Sequence, residues 1–196
     1  PPRYDFIEIK KFGDDINAFW KEARSRFPIV VERSRDYLNW RFTNHPLLNY
    51  RMYLAKRGDA VCGYAVARVE TAQEGPREYR IGRIVDLVSV GECDEFLISA
   101  LAERLKRGGA DCIDFFSTGA FYTRALEKCG FVNSIASGLD TFPRLFKPID
   151  RNRGPINFLI YFDDSLKPFE GKLRDANSWY MNLSEGDLDR PNIPRS

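Results

Sequence analysis

The chain has 196 residues, 43% hydrophobic and 30% charged, a composition that suits a single α/β domain with one substantial core. Lys and Arg number 30 against 28 Asp and Glu, a net charge of +2, so no global field argues for a nucleic-acid or membrane-surface partner. No apolar run approaches the roughly 20 residues of a membrane-spanning helix, and no signal-peptide pattern opens the chain, so a soluble, cytoplasmic protein is expected.

In chain order, residues 4–10 (YDFIEIK) alternate as a half-buried strand does. Ile16, Phe19, Trp20, Ala23 and Phe27 then recur at helical spacing behind Asp15, with Pro28 as a stop. Ser34 can cap a second helix over 35–42, which carries Tyr37, Leu38, Trp40 and Arg41. Two strands, 50–57 and 61–70, follow around Gly58-Asp59, and 73–77 form another turn. A long strand at 79–90 contains Gly82, which marks a bulge or a close backbone approach. Its second half, IVDLVSV, reads as a central strand buried on both faces.

The turn GECDE leads into an amphipathic helix, FLISALAERLKRGG, and then a strand at 112–116. Residues 121–131 (FYTRALEKCGF) form a short helix with Lys128 in its last turn and Gly130 as its left-handed cap. FVNSIASGL (131–139) and INFLIYF (156–162) read as the last two strands. Residues 1–170 are taken as one domain and 171–196 as a tail. Trp179, Tyr180 and Leu183 are expected to pack the first half of that tail on the core.

The cysteines Cys62, Cys93, Cys112 and Cys129 lack the spacing of a zinc site or a redox pair, and no metal is expected. Cys62, Cys112 and Cys129 sit in apolar patterns and read as buried small hydrophobes, with Cys93 more exposed in its turn. His45, before Pro46, reads as a loop or capping residue. Asp86 is the one acid in the apolar run at 84–90, so it is either paired, with Arg83 or Arg41 as partners, or solvated by a cavity.

Strand, two helices, a three-stranded meander, helix, strand, helix-Gly-Phe and two further strands resemble the GNAT acyltransferases over residues 4–162. The words YLNWRF and WYMNLSEGDLD are similar to a bacterial GNAT-like subgroup found in tandem-domain or cell-surface polysaccharide contexts. The resemblance implies a mixed, mostly antiparallel central sheet with helices on both faces and a V-shaped splay between the long strand and the strand at 112–116. It also implies acetyl-CoA as cofactor and a small-molecule amine, such as an amino sugar, as acceptor. The pantetheine arm would pair with the backbone of Leu87, Val88, Ser89 and Val90, and the phosphates would sit at Gly91, Glu92, Cys93 and Asp94.

Two departures from the family pattern stand out. The phosphate turn keeps only Gly91 and carries Glu92, Asp94 and Glu95, whose charges would repel a diphosphate, although acids there also suit a helix start. The family's general-acid Tyr position is Leu126, with Tyr122 one turn earlier on the same face. Tyr122 is therefore the candidate acid, Asp86 the candidate base, and Ser89 a weaker alternative that could orient water or a carbonyl. The alternative reading is a catalytically degenerate GNAT-like domain serving another domain. A chain opening on Pro-Pro is expected of a cut or processed product with a companion domain, and a homodimer is the other partner considered.

Overall fold

The computed structural model describes residues 3–74, 76–133, 136 and 161–185. Five strands form one sheet in the order β1-β3-β4-β5-β6: β1 (Asp5–Ile9), β3 (Arg51–Arg57), β4 (Ala60–Glu74), β5 (Arg77–Ser89) and β6 (Cys112–Phe115). All neighbours are antiparallel except β5 and β6, which run parallel and are joined through helix α3 (Cys93–Arg107), as a crossover requires. This is the mixed, mostly antiparallel sheet that the resemblance implies.

Alternation along β4 places helices on both faces. A Cβ on Gly63 would meet Leu97 of α3, whereas the next residue, Tyr64, stacks edge-on with Phe12 and with Phe19 of α1 (Asp15–Ala23). Helix α1 buries Ile16, Phe19, Trp20 and Ala23, the expected face. It stops at Ala23, four residues short of the expected end, and passes through a 3-10 turn, Arg24–Arg26, to the two-residue strand β2 (Ile29–Val30). The second helix is split into α2 (Arg35–Leu38), capped by Ser34, and a π turn, Asn39–Thr43. The Asn39 amide pairs both ways with the Phe12 backbone, tying this turn to the end of β1.

The irregularity in β5 lies at Val85 rather than Gly82, because Val66 faces Asp86 and Ala67 faces Ile84, leaving one extra residue between them. Gly82 serves the close approach of α3: a Cβ there would lie 3.2–3.3 Å from Leu105 and Ala110. Pairing of β6 with β5 ends at Ile84 and Phe115, so β6 leaves β5 where the bulge bends it. Helix α4 (Thr123–Lys128) follows, and Gly130 takes the left-handed cap conformation at φ 87°.

The two last strands expected at 131–139 and 156–162 lie largely outside the described residues, and neither 131–133 nor 161–162 is in a strand. The tail contributes α5 (Glu170–Arg174) and a second two-residue strand, β7 (Trp179–Tyr180), which pairs in parallel with β2. Tyr180, Asn182, Leu183 and Ser184 are buried. Cys93 is buried and Cys112 and Cys129 only half-buried, a reversal of the expected exposures that arises because α3 begins at Cys93 and turns its thiol inward. No helix among the described residues is long and apolar enough to cross a membrane.

Candidate active site

Beyond Ile84 one edge of β5 faces β4 and the other faces the gap left by β6. The Val90 N–H donates to Cys62 O of β4 at 3.0 Å, and the alternation of an antiparallel pair turns the peptide groups of Val88 the same way. Leu87 and Ser89 therefore present their N–H and C=O groups to the gap. Of the four residues expected to pair with a pantetheine arm, only these two have the right orientation.

All four gap-side groups are bonded within the chain. Leu87 N–H donates to its neighbour's carboxylate, Asp86 Oδ1, at 2.9 Å, and Leu87 O accepts from the Tyr180 phenol. Ser89 N–H donates to Tyr122 Oη at 3.0 Å, and Ser89 O accepts from Arg26 at 3.0 Å. The rings of Phe27, Phe121, Tyr122 and Tyr180 fill the gap, with Phe27 stacked on Tyr180 at 4.4 Å between centroids.

The segment carrying Tyr180 is a strap, residues 179–185. It is tied to the chain just past β6 by the Ser117–Asn182 bridge, by Thr118 N–H to Met181 O at 2.8 Å, and by the Thr118 hydroxyl to Trp179 O at 2.6 Å. On its other side β7 meets β2. The strap thus spans the splay.

Asp86 is fully buried on the α1 face. Its carboxylate accepts from Arg33 Nε at 3.2 and 3.3 Å, Tyr64 Oη at 2.7 Å, Asn182 Nδ2 at 2.7 Å and Leu87 N–H. The ion pair is with Arg33, not with Arg83 or Arg41. Arg83 pairs with Glu70 and Asp114, and Arg41 binds Ser184 O and Tyr50 Oη. Arg33 also pairs with Glu185 of the strap and donates to Val31 O at 2.7 Å. Burial opposes its charge, yet Asp86 and Glu185 hold it well above the ordinary arginine value. Burial raises Glu185 against the downward pull of Arg33.

Tyr122 is 2% exposed and stands at the head of α4. Burial pushes its phenol up to about 12, outweighing the Arg26 guanidinium 4.5 Å above its ring, so the hydroxyl is protonated at neutral pH. It lies on the gap edge of β5, whereas Asp86 points to the α1 face, and the strap joins the two: Tyr122 packs on Tyr180, and Asn182, two residues on, binds Asp86.

At the start of α3 the acids behave differently from one another. Glu92 is exposed and makes no capping bond, whereas Asp94 forms a two-pronged pair with Arg26 at 2.6 and 2.7 Å and accepts from Ser89 Oγ at 2.6 Å. The repulsion anticipated from Asp94 is therefore neutralised by Arg26, a residue that no pattern in the sequence singles out. The Cys93 thiol is raised to about 12 by burial, which removes it as a thiolate nucleophile. His45 Nδ1 accepts from the backbone of Leu47 and Leu48, the loop-capping role expected of it.

The chain has the fold of the GNAT acetyltransferases. Among solved structures it is similar to glucosamine-6-phosphate N-acetyltransferase from Arabidopsis thaliana, at 12% identity over 82% of this chain and 99% of that one, with a TM-score of 0.51. It is also similar to a GNAT family acetyltransferase from Staphylococcus aureus, at 13% identity over 80% and 98%, TM-score 0.47. A third is an aminoglycoside N-acetyltransferase in complex with CoA, at 10% identity over 67% and 89%, TM-score 0.47. No family model matches the chain, and no curated protein matches it.

Proposed function

We propose that the chain is an acyl-CoA-dependent N-acyltransferase that moves an acetyl group to a small-molecule amine, with an amino sugar as the acceptor class. The observation that supports this reading is the break between β5 and β6 after Ile84, with a protonated phenol, Tyr122, on the free edge. An acid at that place can hold the proton that a leaving thiolate needs. Asp86 is assigned to anchoring instead of base catalysis: a fully buried carboxylate already accepting from four groups has no room for an amine proton. The glucosamine-6-phosphate enzyme of this fold supports the amino-sugar class.

The resting arrangement does not fit a pantetheine arm. The gap-side groups of Leu87 and Ser89 are taken by Tyr180, Tyr122, Asp86 and Arg26. That observation favours a second reading, a GNAT-like domain without catalysis that serves as the structural or binding partner of another domain or copy. Calorimetric titration with acetyl-CoA, followed by a thiol-release assay over a panel of amino sugars and other primary amines, separates the two. Saturable binding with amine-dependent thiol release is expected of the first reading. Neither signal is expected of the second.

A further inference from the structure

We infer that the strap, residues 179–185, is an intramolecular gate that occupies the cofactor slot and withdraws when acyl-CoA binds; the inference rests on the acyltransferase reading. The strap enters the splay at the end of β6 and contributes a hydrogen-bond donor to the free edge of β5. An amide N–H of a ligand strand would donate to Leu87 O and its carbonyl would accept from Ser89 N–H. Here the Tyr180 phenol makes the first bond and the Tyr122 phenol the second. The chain thus imitates, with two side chains, the pairing that an added strand would make; only Tyr180 belongs to the strap, so its withdrawal frees Leu87 O while Tyr122 stays on Ser89 N–H.

The way the strap is held suits an exchangeable element. Among the described residues its regular pairing is two residues against β2 and one bridge at Ser117. Its other ties each involve a side chain, among them Tyr180 to Leu87, Asn182 to Asp86, Glu185 to Arg33, Arg41 to Ser184 O, and Thr118 to Trp179 O and Met181 N–H. If it withdraws, Asp86 keeps Arg33, Tyr64 and its own Leu87 N–H, so the buried carboxylate stays paired. Leu87 O loses its partner, and an incoming amide restores one. The opposing contribution is the burial of Tyr180 against Phe27, Phe121 and Tyr122, which sets a closed resting state.

The test measures acetyl-CoA affinity by calorimetry in the parent, Tyr180→Phe and Asn182→Ala. Hydrogen–deuterium exchange over residues 176–185 of the parent is followed with and without acetyl-CoA. Tyr180→Phe keeps the ring and frees Leu87 O, so affinity should tighten about tenfold, and saturating acetyl-CoA should speed exchange of the parent strap by about tenfold or more. Binding of acetyl-CoA with no change in strap exchange and no gain in the variants overturns the gate and leaves the acyltransferase reading standing. No binding in the parent or in either variant overturns both. The exchange measurement uses only the parent, so a variant that folds poorly does not remove the test.

Discussion

The two halves of β5 solve the same problem by different means. From Ile81 to Ile84 its outer edge is satisfied by the backbone of β6, a neighbour joined through one helix. At Leu87 and Ser89 the same edge is satisfied by side chains: Asp86 of the strand itself, and Arg26, Tyr122 and Tyr180 from three distant segments. The first half is a sheet by regular pairing; the second depends on a few polar atoms and an aromatic cluster. Backbone pairing is robust to most side-chain changes, so single substitutions should separate the halves.

The largest effect is expected at Arg33. Arg33→Ala leaves Asp86 and Glu185 as buried carboxylates without their cation, and loss of one partner of a buried pair costs about 3–5 kcal/mol. Urea unfolding should show this loss, with the midpoint falling and the slope unchanged. Tyr122→Phe comes next. If the acyltransferase reading holds, it should lower turnover by about 10²-fold and stability by about 1–3 kcal/mol, because the buried Ser89 N–H loses its acceptor. Thiol-release kinetics and thermal melting check the two parts separately.

In the paired half, Gly82→Ala puts a Cβ against Leu105 and Ala110 at 3.2–3.3 Å and should cost about 1–3 kcal/mol of overpacking. Strap exchange should stay unchanged, and a change there would mean that the two halves are not separable. The smallest effect is expected at Glu185. Burial raises its folded value above that of the unfolded chain, so its contribution is full below the ordinary glutamate range and is lost as pH rises through the raised value. Glu185→Gln, which also leaves Arg33 and Asp86 balanced, should therefore gain on the parent as pH rises from about 4 to about 7. Paired melts across that range read the difference directly. A gain that shrinks as pH rises would reverse the sign.

The legibility of the chain follows the same division. The first strand, the α1 face and the Gly130 cap are set by neighbours a few residues apart and were readable from local pattern, although burial along β1 does not alternate past Ile7. The splay was an implication of the GNAT resemblance, and β6 stops pairing with β5 at Ile84 and Phe115. What fills the splay was not readable. Arg33 lies in an irregular stretch 53 residues from Asp86, and Asn182 is 96 residues away, with no periodicity linking any of them. Arg83 and Arg41 were the candidates in regular elements, and both are engaged elsewhere. Trp179, Tyr180 and Leu183 marked the tail as one that packs, but nothing local showed that its target is the edge of β5.

The central claim is that side chains from this same chain close the free edge of β5 in the resting protein. Amide hydrogen exchange at Ser89, followed by NMR with Val90 as internal reference, tests it most directly, because Val90 N–H bonds to β4 whereas Ser89 N–H bonds to Tyr122. Both amides should be protected in the parent, and Tyr122→Phe should speed exchange at Ser89 by about tenfold or more while leaving Val90 unchanged. Exchange at Ser89 in the parent as fast as that of an exposed amide would contradict the account.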